Sequence, residues 1–245
     1  MNLILIEPSE LDANGLAVLR DDRARHIREV LNSKVGDSVR VGLLDGPLGS
    51  GLVREIHSDD VFLACDFGGE PPQLSAVDLL LAMPRPKVMK RLWAQLAALG
   101  VGKIIITNAA RVEKNYFDTH VLEESFFRPL LIEGLQQARD TRLPRVSIHK
   151  RFRPLIEDEL DNISDTKLRI VADPSGVKHI GEIAAKNAGR VLLAVGPEGG
   201  WVPFELELLT KHNFIACGIG PRTLRTDTAC IALLSLLHAA MRGEA

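Results

Sequence analysis

The chain has 245 residues, of which 46% are hydrophobic and 25% charged; 30 Lys and Arg face 32 Asp and Glu, for a net charge of −2. That mix fits one large or two small globular domains and excludes extended disorder, collagen-like repeats and coiled coil. No apolar run approaches the ~20 residues of a bilayer span, and the opening MNLILIEPSE lacks the basic and long apolar regions of a secretory signal.

The first 70 residues read as short strands at 2–6, 38–43, 51–56 and 61–65, separated by turn clusters such as Val35-Gly36-Asp37 and Asp45-Gly46-Pro47. Strands at such spacing predict a small β-barrel or sandwich. One helix interrupts them at 23–31, with Ile27, Val30 and Leu31 on a single face. Residues 71–75 read as a linker, and from 76 to 245 strand and helix alternate. Strands are predicted at 77–83, 103–107, 146–149, 168–172, 191–195 and 214–219. Helices are predicted from Pro86 to a Gly100 stop, and over 121–138, 180–186, 203–212 and 226–241. Alternation of this kind predicts a largely parallel sheet covered by helices.

Cys65, Cys217 and Cys230 form no C-x-x-C pair and point to a reducing, cytoplasmic setting. The seven histidines include no H-E-x-x-H pair, so no metal is expected. Three glycine-containing turns follow strands near the end: Asp173-Pro174-Ser175-Gly176, Gly196-Pro197-Glu198-Gly199-Gly200 and Gly218-Ile219-Gly220-Pro221. In open α/β sheets ligands bind at the carboxyl ends of the strands, and glycine there lets the backbone approach a ligand closely. G-x-G-x-x-G, the P-loop pattern and G-x-S-x-G are all missing, which argues against a dinucleotide oxidoreductase, a P-loop enzyme and a serine hydrolase. Basic residues are segregated: Arg20, Arg23, Arg25 and Arg28; Arg85, Lys87, Lys90 and Arg91; and Arg139 through Arg153. They are balanced by acids at 157–159, 161 and 165. This distribution suits a basic face for nucleic acid on an otherwise acidic protein.

Val195-Gly196-Pro197-Glu198-Gly199-Gly200-Trp201, followed by Ile219-Gly220-Pro221-Arg222-Thr223-Leu224-Arg225-Thr226-Asp227-Thr228-Ala229, resembles the signature of the RsmE family, 16S rRNA uridine-N3 methyltransferases of the SPOUT (α/β-knot) superfamily. Arg25-His26, Val30-Leu31 and Val35-Gly36-Asp37 resemble that family's N-terminal PUA-like β-barrel, and Leu99-Gly100-Val101 its first helix-to-strand junction. The resemblance implies an α/β C-terminal trefoil-knot domain with a mostly parallel sheet, binding S-adenosylmethionine, and a homodimer. It implies methylation of N3 of a decoding-region uridine, position 1498 in the usual rRNA numbering, during small-subunit maturation. The cofactor-binding set it implies is Ala172, Asp173, Val195, Gly196, Pro197, Glu198, Gly199, Gly200, Ile219, Gly220, Leu224, Arg225, Thr226, Thr228 and Ala229. Residues 136–140 and 95–100 depart from the family pattern.

Uracil N3–H is a weak acid, and a nearby cation favours the anion that attacks a methyl sulfonium. Arg225 and Arg222, with Glu198 to orient an arginine or accept a proton, are the candidate catalytic residues. Arg23, Arg25, His26, Arg28, Arg85, Lys87, Lys90, Arg91 and Arg139 are the candidate RNA contacts. The alternatives are ribose 2′-O methylation, told apart by nucleoside mass spectrometry, and a non-catalytic RNA-binding or ribosome-assembly module, told apart by failure to bind S-adenosylmethionine.

Overall fold

A computed structural model describes residues 2–176, 178–180, 183, 189–220 and 222–242. The chain separates into two compact units, Met1–Leu74 with Leu131–Leu143, and Ser75–Leu130 with Pro144–Ala245.

The first unit holds β1 (Ile4–Ile6), β2 (Leu16–Leu19), β3 (Ser38–Leu43), β4 (Leu48–His57) and β5 (Asp60–Phe67) in the order β1-β3-β4-β5-β2. β1 pairs with β3 in parallel; the other neighbours are antiparallel, and the β4–β5 register shifts between Val53 and Glu55. Alternation puts Ala17, Leu19, Val39, Val41, Val61 and Leu63 into one core with Ile4, Ile6 and Ile27. β2 is not among the strands expected from sequence. The helix expected over 23–31 is a short α1 (Asp22–Arg25), whose first turn Asp21 caps by accepting the Arg23 N–H at 2.9 Å. It runs into a wide π turn, His26–Val30, closed by the Leu31 N–H on the His26 carbonyl at 2.9 Å. The wider turn changes the phase of the helix. Ile27 stays buried, but Val30 and Leu31 are exposed, against the single inward face expected.

Residues 131–143, assigned by sequence pattern to the second domain, belong with this first unit. The Asn2 N–H donates to the Gln136 carbonyl at 3.2 Å, the Asp45 N–H to that of Thr141 at 2.8 Å, and Thr141 Oγ1 to that of Gly46 at 2.6 Å. Arg142 reaches the carbonyls of Pro72 and Asp45 at 2.7 and 2.9 Å. A composition shift along the chain cannot register partners so far apart in sequence.

The second unit holds β6 (Val77–Ala82), β7 (Lys103–Thr107), β8 (Arg145–His149), β9 (Leu168–Ala172), β10 (Lys178–His179), β11 (Val191–Val195) and β12 (Phe214–Gly218). They form one sheet of order β10-β12-β9-β11-β6-β7-β8, with every pair parallel. Its helices are α2 (Pro86–Ala98), α3 (Glu124–Ala138, whose second half lies in the first unit), α4 (Phe152–Pro154), α5 (Leu160–Ile163), α6 (Pro203–Lys211) and α7 (Thr226–Arg242). A π turn, Leu155–Glu159, joins α4 to α5. β6 and β11 are buried along their whole length, as expected of central parallel strands covered on both faces. Pro86 stands in the first turn of α2, and Gly100, at φ +75°, follows its end. Most of the helix expected at 180–186, and Pro221, lie outside the described residues. No helix is long and apolar enough to cross a membrane among the described residues.

At the amino-terminal edge of the sheet, Asp78 is completely buried in β6. Its carboxylate accepts from Arg190 at 2.6 Å and from Ser164 Oγ at 3.3 Å, while Lys103 Nζ donates to the Ile163 carbonyl at 2.7 Å. Burial outweighs the attraction of Arg190 and holds the Asp78 carboxyl above its ordinary range.

Candidate functional site

The opposite, carboxyl edge carries a cavity of about 380 Å³. Three loops build most of it, following β9, β11 and β12. In the first, Asp173 Oδ1 accepts from both the N–H and the Oγ of Ser175, at 2.9 Å each, which closes a tight side-chain turn. Gly176 then lies directly on the chain beyond: a Cβ there would come within 2.6–2.8 Å of Cys217 backbone atoms. In the second, the Gly200 N–H closes on the Pro197 carbonyl at 2.8 Å with Gly200 at φ +74°. Gly196 lies under the Trp201 indole, where a Cβ would sit 3.2 Å from Nε1. The third passes through Gly220, at φ +123°, to the start of α7. There Thr226 Oγ1 donates to the Gly196 carbonyl at 3.3 Å, tying the second loop to the third.

Two carboxylates and one guanidinium tie in the loops after β6 and β7. Glu198 Oε1 accepts the Arg85 N–H at 3.0 Å. Glu205, 3% exposed, accepts the Ala110 N–H at 2.7 Å through one oxygen and the Val202 N–H at 2.9 Å through the other. Arg111 donates to the Gly199 carbonyl and lays its stem on Gly199, where a Cβ would meet its Cδ at 2.9 Å.

Of the residues selected from sequence, Ala172, Asp173, Val195, Gly196, Pro197, Glu198, Gly199, Gly200, Ile219, Gly220, Arg222, Leu224, Thr226 and Ala229 line the cavity. Arg225 and Thr228 do not: both are exposed, and the Arg225 carbonyl accepts the Ala229 N–H at 2.7 Å in the first turn of α7. The lining also contains Pro174, Ser175, Trp201, Gly218 and Thr223, which lie within the turns and motifs noted in the sequence, and Arg111, Leu206, Cys217 and Leu233, to which no part in the site was assigned from sequence. Burial pushes the Cys217 thiol up to about 11, so it is a neutral wall element. The cations of the lining, among the described residues, are Arg111 and Arg222. Among the described residues no cluster of His, Cys, Asp and Glu could hold a metal ion.

In the second unit, Arg85, Lys87, Lys90 and Arg91 are exposed at the start of α2; Arg91 pairs with Asp227 at 3.1 Å, and Lys90 stands 5.8 Å over the Phe126 ring. In the first unit, Arg139 is exposed, and Arg25 is exposed and paired with Asp22 at 2.9 Å. His26 is half-buried, and Arg28 donates to the Ser58 carbonyl and to Asp59. Arg23 is the correction. Its side chain is 14% exposed and is consumed by Glu10, Asp21 and the Leu5 carbonyl, leaving no free face for a phosphate. The Arg23 hydrogen bond, working against burial, holds the Glu10 carboxyl below its ordinary range.

Residues 70–238 match the family described as RNA methyltransferase domain. The chain is 31% identical to the ribosomal RNA small subunit methyltransferase E of Treponema pallidum, covering 98% of this chain and 92% of that one. It is also 31% identical to the ribosomal RNA small subunit methyltransferase E 1 of Borreliella burgdorferi, covering 95% of each. Its fold is similar to that of a methyltransferase of Legionella pneumophila solved with bound SAM, at TM-score 0.77 and 22% identity over 98% and 97% of the two chains. It is similar as well to the Neisseria gonorrhoeae ribosomal RNA small subunit methyltransferase E bound to S-adenosyl methionine, at TM-score 0.76 and 18% identity over 98% and 97%.

Proposed function

Because this chain belongs to the ribosomal RNA small subunit methyltransferase E family of RNA methyltransferases, we propose that it uses S-adenosylmethionine to methylate 16S rRNA, at N3 of the decoding-region uridine 1498, during maturation of the small subunit in the cytoplasm. The observation that carries this reading is the cavity at the carboxyl edge, lined in large part by the two motifs that resemble the family signature. The residues there fit a nucleoside cofactor. The volume lies within the ~300–1,000 Å³ of ordinary ligand pockets. Glycines at 176 and 196 let the loops around the cavity pack where a Cβ would meet the Cys217 backbone and the Trp201 ring, which fixes its shape.

S-adenosylmethionine supplies an electrophilic methyl group on a sulfonium. The chain's own work is to orient, to exclude water and to stabilise charge. Val195, Trp201, Leu206 and Leu233 make an apolar wall that strengthens the electrostatics inside it. In this reading Arg222 and Arg111, the lining arginines, stabilise the anion at uracil N3, and a guanidinium keeps its charge at any working pH. Glu198, bonded to the Arg85 N–H, fixes the second loop. Arg225, beyond the lining, meets the RNA at the rim.

Exposed Arg85, Lys87, Lys90 and Arg91 in one unit, and exposed Arg25 and Arg139 with half-buried Arg28 in the other, supply phosphate contacts. Two finer structural points belong to the same proposal: the five-stranded sheet is a PUA-like barrel, and the segment after β11 closes the trefoil knot. The protein works as a homodimer, in keeping with half-exposed Ile231 and Leu236 on α7. The test is a nucleoside map of 16S rRNA from cells deprived of the protein. The proposal expects loss of one 3-methyluridine. Loss of a 2′-O-methyl nucleoside instead would give the chain to ribose methylation, and an unchanged map would remove it from rRNA modification.

A further inference from the structure

A second cavity, of about 380 Å³, lies in the first unit, between the amino ends of β1 and β3 and the chain that leaves the π turn. Buried Leu3 and Val39 are its floor; Asn2, Leu31, Ser38 and Arg40 stand exposed around it. Val30, Leu31 and Val35 are 63%, 47% and 62% exposed. The segment that carries them is pinned. The Ser33 N–H donates to the Ile27 carbonyl at 3.0 Å, the Lys34 N–H to Asp37 Oδ2 at 2.8 Å, and the Gly36 N–H to the Val53 carbonyl at 2.9 Å. Aliphatic side chains held in water beside a cavity mark an interaction surface. The charge around it is also unspent. Arg20, Arg23, Arg25 and Arg28 each hold a carboxylate, whereas among the described residues none pairs with Arg40 or Arg139. Arg139 follows closely on Gln137, whose carbonyl accepts the Asn2 side-chain N–H at 2.9 Å.

We infer that this cavity takes one unstacked nucleotide of single-stranded RNA, with the base against Leu31 and its phosphate on Arg40. The inference rests on the reading of the chain as an rRNA methyltransferase and adds a recognition site in the unit that holds no cofactor cavity. A free guanidinium suits a phosphate, which it binds through two parallel N–H donors. The exposed aliphatic side chains suit the flat face of a base, and a phosphate alone would leave them in water. The remaining polar groups suit a base edge, which presents donors and acceptors together. One Asn2 amide N–H is spent on Gln137, and its side-chain oxygen is left to accept. Ser38 Oγ accepts from Ser50 Oγ at 3.4 Å and keeps its own proton to give. The volume is at the small end of the ~300–1,000 Å³ of ligand pockets, which suits one nucleotide rather than a helical segment. A paired base hides its edge and both faces, so the cavity selects single strands over duplex.

The test measures binding of the full chain to 16S rRNA, to single-stranded oligouridylate and to the same strand annealed to oligoadenylate, over a range of salt. Leu31→Ser and Arg40→Ala change exposed side chains, so melting temperature and S-adenosylmethionine affinity should stay at wild type. Arg40→Ala should weaken single-strand binding and lower its log–log salt slope by about 0.7, the share of one phosphate contact. Leu31→Ser should weaken it about 4- to 15-fold, the worth of burying one or two methylene groups, and leave the slope unchanged. In methyl NMR of the full chain, the resonance lost in Leu31→Ser should move with oligouridylate and stay put with the duplex and with inorganic phosphate. RNA binding that neither variant weakens, or a duplex bound as well as the single strand, overturns the inference and leaves the methyltransferase reading standing. A resonance that inorganic phosphate alone moves reduces the cavity to an anion site and overturns it too. If Leu31→Ser binds RNA as wild type but small ribosomal subunits more weakly, the surface belongs to a protein instead. A wild-type protein that binds neither oligouridylate nor 16S rRNA takes the rRNA reading down together with the inference.

Discussion

The two edges of the parallel sheet are made of the same strands and are opposite in chemistry. At the amino edge, a carboxylate without solvent access is answered from within the chain by Arg190 and Ser164. At the carboxyl edge, glycines remove side chains where loops meet, and a buried indole N–H is left without an answer. The first arrangement fixes strands to one another; the second shapes a cavity between loops. A parallel sheet permits this division because all its strands begin at one edge and end at the other, so stability and ligand binding need not compete for the same positions.

The largest expected effect is on catalysis at the carboxyl edge. Arg222→Ala should lower turnover on the order of 10²–10³-fold, the scale of one lost oxyanion donor, with S-adenosylmethionine affinity and melting temperature near wild type. Arg225→Ala should cost less and act on RNA affinity. Equal turnover losses in the two would show that the catalytic surface extends beyond the lining of the single chain. Asp78→Ala makes the complementary test. It leaves Arg190 without its main partner and should cost about 3 kcal/mol of stability, at the low end for a broken buried pair because the Arg190 side chain is 29% exposed. Cofactor affinity, measured well below the melting temperature, should not change. An affinity that fell with the stability would break the separation of the edges.

Gly176→Ala should give the reverse pattern. Its Cβ meets backbone at Cys217, which no rotamer change relieves, so cofactor affinity should fall more than about tenfold for ~1–3 kcal/mol of stability. Glu205→Ala strands the Ala110 and Val202 N–H groups and should cost ~1–3 kcal/mol. Calorimetric cofactor affinity would then show whether those ties also hold the cavity in shape; a modest loss is expected.

What was legible in the sequence follows from the same division. The bounds of β3, β7, β9 and β11 emerge as expected, since an uninterrupted or alternating apolar run is set by local burial. The helical stretch from Phe152 to Ile163 was missed because its acidic block reads as solvated surface and its middle is a π turn without helical periodicity. The glycine loops were legible because positive φ at Gly200 and Gly220 and backbone contact at Gly176 demand glycine, a requirement that the residue type itself displays. Arg111 and Glu205 were not, because their partners stand 88 and 95 positions away in the chain. Arg23 looked like a phosphate ligand by its company of basic residues, and only the fold shows it spent on Glu10 and Asp21.

The smallest expected effect concerns His238. Burial and the charge of Arg242 lower its pKa below the ordinary 6.5. The folded state therefore binds that proton less well than the unfolded chain. Its contribution to stability is present above about pH 6.5 and is lost as pH falls through the lowered value. Melting temperature should drop across that window, and His238→Gln should flatten the drop. A variant with an unaltered profile would remove His238 as the cause.

The most direct measurement of the central claim is transfer of a labelled methyl group from S-adenosylmethionine by the purified protein, with a chelator present, onto 16S rRNA and onto small ribosomal subunits that lack the modification. Digestion to nucleosides should recover the label as 3-methyluridine, and Arg222→Ala should abolish most of it. Label recovered in a ribose-methylated nucleoside, or no transfer to either substrate by a protein that binds the cofactor, would contradict the account.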